Sequence, residues 1–163
     1  MKVRVLVAAA LAAGIALGTS GCNLIQPQAT LKQYSASDGV NVNLGNIALR
    51  NLVVISNDGK TGNLVFGAVN TEVPVALHVE YKSGAKVADG HVVIPFSTQP
   101  TLFGTDGHTK VIVEGINTEP GSLLEVAFTV GSKTVTSLIP VLTSEQPEYK
   151  GLNPSSVLTV TTH

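Results

Sequence analysis

Apolar and polar residues alternate along several stretches of the chain between residues 40 and 142. The clearest stretch is 73–82, in which every second residue is large and apolar: Val73, Val75, Leu77, Val79 and Tyr81. Residues 122–130 repeat this alternation with Leu124, Val126, Phe128 and Val130. A period of two residues places the apolar side chains on one face of a β-strand and the polar ones on the other. Both stretches are therefore predicted to be half-buried strands.

Shorter apolar runs predict six further strands: Val40–Leu44, Ile47–Ser56, Asn63–Asn70, His91–Phe96, Thr109–Ile116 and Thr134–Leu142. Glycine-containing turn sequences separate the runs, among them Asn57-Asp58-Gly59 and Asp89-Gly90. No stretch after Cys22 has the spacing of an amphipathic helix.

Seven or eight short strands predict an all-β fold, an immunoglobulin-like antiparallel β-sandwich over residues 40–142. A closed barrel is the alternative, but the runs are short and uneven for closure. The chain lacks tryptophan. The core is therefore expected to consist of aliphatic side chains with Phe66, Phe96 and Phe128.

The residues on either side of the predicted sandwich lack this periodicity. Residues 22–39 are small and polar, and we expect a flexible tether there. Residues 143–163 begin with a polar stretch that contains two prolines, which predicts a mobile C-terminal tail. Within that tail, 157–161 could form a small edge strand.

The first 21 residues have the pattern of a secretory signal peptide. Lys2 and Arg4 precede a mostly apolar run from Val5 to Leu17. Spanning a hydrocarbon core takes about 20 apolar residues, so this run fits a signal peptide better than a membrane helix.

The run ends in Thr19-Ser20-Gly21-Cys22, which resembles the lipobox of bacterial lipoproteins, although Thr19 stands where that motif most often has leucine. The resemblance implies that the Cys22 thiol receives a diacylglyceryl group and that the signal peptide is cut between Gly21 and Cys22. Several acyl chains at about 0.8 kcal/mol per buried CH₂ give stable anchoring. We therefore expect the bilayer to be a partner, with the protein lipid-anchored on the outer face of the cell membrane.

Composition narrows the function classes. Ten basic and eleven acidic side chains leave a formal charge of −1 among 163 residues, so no basic surface for nucleic acid is expected. Cleavage before Cys22 would remove two of the basic residues and make the protein more acidic. The single cysteine excludes an internal disulfide and a multi-cysteine zinc site.

The chain lacks the common nucleophile, zinc-protease and phosphate-binding motifs, so we expect no enzyme activity, no catalytic residue and no cofactor. His91 and His108 each follow an Asp-Gly pair and are weak candidates for a copper or zinc site. Thioether ligands for Cu(I) are absent, because Met1 is the only methionine. The interpretation favoured for all four histidines is exposure in loops or at strand edges.

Arg50 and Asn51 form a polar pair within an otherwise apolar strand. One interpretation is that Arg50 points to solvent while Asn51 begins a bulge or bonds to an edge backbone. The other is that the pair forms a ridge facing a partner.

Taken together, three segments resemble the LpqE-type lipoproteins of actinobacteria. They are 34–40, 49–54 and 62–70 leading into Pro74-Val75, within a similarity that spans about residues 34–142. The resemblance implies a cell-envelope lipoprotein and no reaction. We therefore expect a non-catalytic binding or assembly module whose partner is an envelope protein, lipid or glycan; the alternative is a carrier of metal, lipid or another small ligand.

Overall fold

The computed structural model describes residues 2–8, 10, 37–83 and 86–154. The chain divides into two units, residues 1–34 and 35–163. In the first unit, residues 2–8 are helical. The predicted cleavage site, Gly21 and Cys22, and most of the predicted tether lie outside the described residues.

The second unit contains nine described strands, each rich in valine, threonine or other residues that favour extended backbone. Their bounds are β1 (Val40–Leu44), β2 (Ile47–Ile55), β3 (Thr61–Asn70), β4 (Val75–Ser83), β5 (Lys86–Ile94), β6 (Ser97–Phe103), β7 (Ile112–Glu114), β8 (Leu123–Val130) and β9 (Lys133–Leu142). The bounds of β1 coincide with the predicted ones, and those of β2 differ by one residue.

The strands follow one another in the order β5-β4-β8-β9-β2-β3-β6, with β1 also on β2 and β7 also on β3. The pairings are antiparallel except for a short parallel contact in which β2 meets β9 at Val54 and Ile55. This contact joins the two halves of a sheet that curls into a half-barrel. The prediction of an all-β, sandwich-like fold is confirmed. The described strands do not close into a barrel, because β5 and β6 lie at the two ends of the strand order.

The inner faces of the two halves enclose one aliphatic core. Leu49, Leu52, Leu77 and Phe128 are fully buried in it. The alternation predicted in 73–82 is observed from Leu77 onward, with Leu77, Val79 and Tyr81 inside and the residues between them exposed. This burial is the main source of stability for the fold.

The predicted set of core aromatics was wrong at one position. Phe96 is 59% exposed, because it follows β5 at the turn into β6. Its expected place is taken by Phe103 of β6, whose ring stacks on Phe66 with centroids 4.8 Å apart. Strand β6 itself was not predicted, since Pro100 and four polar residues hide its alternation.

The prediction of a turn at Asp89-Gly90 was also wrong. Both residues lie inside β5, where Asp89 pairs with Glu80 and Gly90 with Val79. The register along β4 and β5 is continuous from Val75 opposite Ile94 to Ser83 opposite Lys86. Gly90 therefore lies within an extended strand, and the hairpin reverses between Ser83 and Lys86.

The expectation of a mobile tail from residue 143 onward is corrected for residues 143–154. A 3-10 turn over Pro147–Tyr149 folds this segment back on the sheet. Tyr149 and Leu152 are about 5% exposed and pack in a second apolar cluster with Val53 and Ile55. The segment has no apolar period because it packs through two isolated side chains. Residues 155–163 lie outside the described part of the chain.

Candidate functional site

Asn51 lies at an irregularity of β2 where the pairing with β3 shifts between Arg50 and Val53. Its φ of 52° is in the left-handed region, which asparagine tolerates better than most residues. The Asn51 Oδ1 accepts a 2.8 Å hydrogen bond from the Gly39 N–H, and its own N–H donates to Asn41 Oδ1 at 3.0 Å. Asn51 thus forms a bulge and fixes the chain just before β1.

The Arg50 guanidinium is exposed but held along the sheet. Its Nη1 donates to Asn43 Oδ1 and to the Leu49 carbonyl, both at 2.8 Å. These bonds turn the side chain towards neighbouring backbone. The pair therefore has the geometry of the first interpretation, in which Arg50 is exposed and Asn51 begins a bulge. A partner-facing role for the two residues stays a prediction.

A cleft lies beside this bulge, with a volume of about 480 Å³. It is lined by Ser37, Asp38, Asn51, Val65, Thr105, Glu148, Tyr149 and Leu152. The Tyr149 hydroxyl donates a 2.9 Å hydrogen bond to Asp38 Oδ2 across it. Its open mouth distinguishes it from the enclosed cavity that a lipid carrier needs.

Two tyrosine hydroxyls are buried enough to titrate abnormally. Burial, followed by the hydrogen bond to Asp38, raises the pKa of Tyr149 to about 12. Burial also raises the pKa of Tyr81, whose hydroxyl donates to the Glu114 carbonyl at 3.0 Å and accepts from the Glu114 N–H at 2.8 Å. Tyr81 thereby connects β4 to β7 across the core.

The ring that lies beside the candidate ligand His91 belongs to His78 rather than to His108. His91 of β5 lies directly opposite His78 of β4, with ring centroids 6.0 Å apart. His108 belongs to a loop in which its Nδ1 lies 3.0 Å from Thr105 Oγ1 and 3.0 Å from the Asp106 carbonyl. All three are exposed, as the sequence predicted.

Within residues 37–83 and 86–154, no three histidine, cysteine, aspartate or glutamate side chains are grouped closely enough to hold a metal ion. The acidic side chain with an abnormal pKa is Asp58, which accepts hydrogen bonds from the Lys60 and Thr61 N–H groups. These bonds lower its pKa, as expected for a carboxylate that closes a turn.

A groove runs along the free edge of β5, which pairs only with β4 among the described strands. The groove has a volume of about 150 Å³. Its walls are Gly90, His91 and Val92 on one side and the segment 109–113 on the other, with Val79 at its base. This edge presents backbone donors and acceptors beside partly apolar side chains.

Sequence reasoning missed both Tyr149 and the pairing of the two histidines. The histidine pair was missed because a turn was predicted at Asp89-Gly90, which began the next strand only at His91. With Ser83 opposite Lys86, counting along the two strands brings His78 opposite His91. Tyr149 lies in a segment without any periodic signal.

In the part of the chain that the structure describes, no helix has the length and apolar character needed to cross a membrane. Comparison with known proteins finds neither a protein-family model nor a curated protein that matches this chain.

Proposed function

We propose that this protein is a lipid-anchored, extracytoplasmic module of the cell envelope that binds an extended segment of a partner protein along the edge of β5. The observation that carries the anchoring is the position of Cys22, directly after a mostly apolar run and four small residues. Membership of the actinobacterial LpqE-type lipoproteins, which the sequence resembles, is part of this proposal. No chemical step is assigned to the protein.

The folded unit supports this arrangement through the way its first strand is fixed. The Gly39 N–H is bonded to Asn51, and Asp38 accepts the hydroxyl hydrogen of Tyr149. A pull on the tether would therefore be borne by hydrogen bonds to β2 and to the segment after β9.

The edge of β5 favours a polypeptide as the partner. An edge strand presents unpaired N–H and C=O groups at the spacing of an extended chain, and strand addition satisfies both. The other end of the strand order is β6, which carries Pro100 and so lacks one donor. Strand β5 contains no proline and borders the groove that 109–113 closes on its far side.

Site-specific photocrosslinking in intact cells tests this surface. A photoreactive residue replaces Val93, which is 57% exposed on β5, or Ile112, which is 43% exposed on β7. We expect both positions to crosslink to the same protein, at one contiguous segment identified by mass spectrometry. Leu123 and Leu138, which are 55% and 52% exposed on β8 and β9, are matched controls and should not capture it.

Two results would contradict the proposal. If Leu123 or Leu138 captured the same protein with equal yield, the edge of β5 would not be the binding surface for that partner. Crosslinks to lipid or glycan alone at Val93 and Ile112 would mean that the partner is not a polypeptide. A stable membrane attachment in either case would leave the anchoring part intact.

A further inference from the structure

Two histidines face each other on the outer surface of the β4–β5 hairpin. His78 and His91 are directly opposite in the register, both are exposed, and their ring planes are inclined by 39°. Side chains directly opposite on antiparallel strands have Cβ atoms about 4.5–5.5 Å apart. Both imidazoles therefore reach the same point above the sheet.

The ring separation fits a shared metal ion. Zinc lies about 2.0–2.1 Å from an imidazole nitrogen, and the ring centre is roughly 1 Å behind that nitrogen, so two rings that share an ion have centroids roughly 5–6 Å apart. The observed separation is 6.0 Å. Small rotations about the side-chain bonds would complete the geometry without any change in the strands.

The next pair on the same face is acidic. Glu80 lies directly opposite Asp89, an arrangement of like charges that opposes strand pairing. The described side chains provide no ion-pair partner for either carboxylate, and the neighbouring Lys82 lies 4.0 Å from Glu125 instead. A cation held beside this pair would offset the repulsion.

We propose that His78 and His91 bind one divalent transition-metal ion of the class that prefers imidazole, such as Ni²⁺, Cu²⁺ or Zn²⁺, beside the negative charge of Glu80 and Asp89. Imidazole ligands suit these ions, whereas Cu(I) prefers thiolate or thioether. The described segments 37–83 and 86–154 contain neither cysteine nor methionine. The proposed pair combines His91 with His78, whereas the sequence offered His91 and His108 as candidates.

The site is open on its outer side. No third ligating side chain is gathered with the two rings in the described chain, so water fills the remaining coordination positions. An ion held by only two side chains exchanges readily.

Equilibrium dialysis against Zn²⁺ tests the site, using the full chain in detergent without a histidine tag. We expect one ion per chain, and we expect His78→Ala and His91→Ala each to weaken binding by at least about tenfold. His108→Ala is the matched control, because His108 is equally exposed but unpaired with another histidine, and its affinity should stay unchanged. Loading with Cu²⁺ should give an electron paramagnetic resonance spectrum with two coordinated nitrogens.

The double variant Glu80→Gln/Asp89→Asn should bind Zn²⁺ more weakly than the unsubstituted chain while keeping the two-nitrogen Cu²⁺ spectrum. Circular dichroism of each variant confirms that the strands are intact, which is expected because all four side chains are exposed. Undetectable Zn²⁺ binding by the unsubstituted chain would overturn the proposal. Equal affinity in His78→Ala and in the unsubstituted chain would overturn it as well.

Discussion

The hydroxyl of Tyr149 donates a 2.9 Å hydrogen bond to a carboxylate oxygen of Asp38, 111 residues earlier in the chain. This bond joins the segment after the last strand to the residues that lead into the first. Tyr149 also packs on Val53 and Ile55 of β2. The two ends of the described domain are therefore held together beside the bulge at Asn51.

Tyr149→Phe should make stability less dependent on alkaline pH. Burial and Asp38 raise the pKa of Tyr149 to about 12, whereas an exposed tyrosine in the unfolded chain titrates near pH ~10. The stabilisation is full below that lower value and is lost as the pH rises through the higher one, because the unfolded chain releases its proton first. Urea unfolding at pH 8 and pH 11 should show a smaller loss in the variant.

At neutral pH the same variant should lose roughly 1 kcal/mol, the net value of one hydrogen bond. Tyr81 retains its raised pKa in both proteins and contributes to the decline that remains. An identical alkaline decline in Tyr149→Phe and in the unsubstituted chain would show that Tyr149 does not cause it.

Asn51 should be more sensitive to alanine than to glycine. Alanine at a φ of 52° incurs a left-handed backbone cost of about 1–2 kcal/mol and also loses the bond from Gly39. Glycine adopts that conformation freely and loses only the bond. Chemical denaturation should therefore give the highest free energy of unfolding for the unsubstituted chain, a lower one for Asn51→Gly and the lowest for Asn51→Ala. Equal losses in the two variants would argue against backbone strain.

Gly104 and Gly107 form a matched pair that separates backbone strain from steric overlap. Their φ values are 78° and 75°, so alanine at either position costs about 1–2 kcal/mol for conformation. At Gly104 an added Cβ would also lie 2.5 Å from the Leu64 carbonyl oxygen, while nothing lies within 4 Å at Gly107. Gly104→Ala should lose about 2 kcal/mol more than Gly107→Ala, and equal midpoints in urea would contradict this contact.

Truncation to alanine should lower the stability of the protein much more at Phe103 than at Phe96. Phe103→Ala removes a buried ring stacked on Phe66 and should cost about 3–5 kcal/mol. Phe96→Ala removes a ring that is 59% exposed and should change stability by no more than about 0.5 kcal/mol. Thermal unfolding of the two variants measures this difference. A larger loss in Phe96→Ala than in Phe103→Ala would contradict the placement of Phe103 in the core.

The elements that the sequence predicted well are those in which one face is buried and the other wet. The inner residues of β4 followed from a period of two, and the bounds of β1 from a short apolar run. Strand β6 was missed because Pro100 lies within it and because its alternation has few apolar members. Phe96 was misassigned because hydrophobicity alone does not show whether a residue lies within a strand or at its turn.

The candidate sites depended on pairing, which a single sequence shows only indirectly. His78 was placed correctly on an exposed face, but its position opposite His91 depends on where the hairpin reverses. Tyr149 depends on two isolated contacts made at a distance in sequence, and Asn51 on a bulge shared by three strands. Long-range register, rather than residue type, determines these features.

Membrane attachment through Cys22 is the central claim, and its substitution by serine tests it most directly. In cells labelled with a palmitate analogue, the unsubstituted chain should be labelled and should sediment with membranes, because its acyl chains each contribute about 0.8 kcal/mol per buried CH₂. Ser20→Ala, which keeps a small residue two positions earlier, should behave in the same way. Cys22→Ser should lose both the label and the membrane association; retention of both in Cys22→Ser would contradict the lipoprotein assignment.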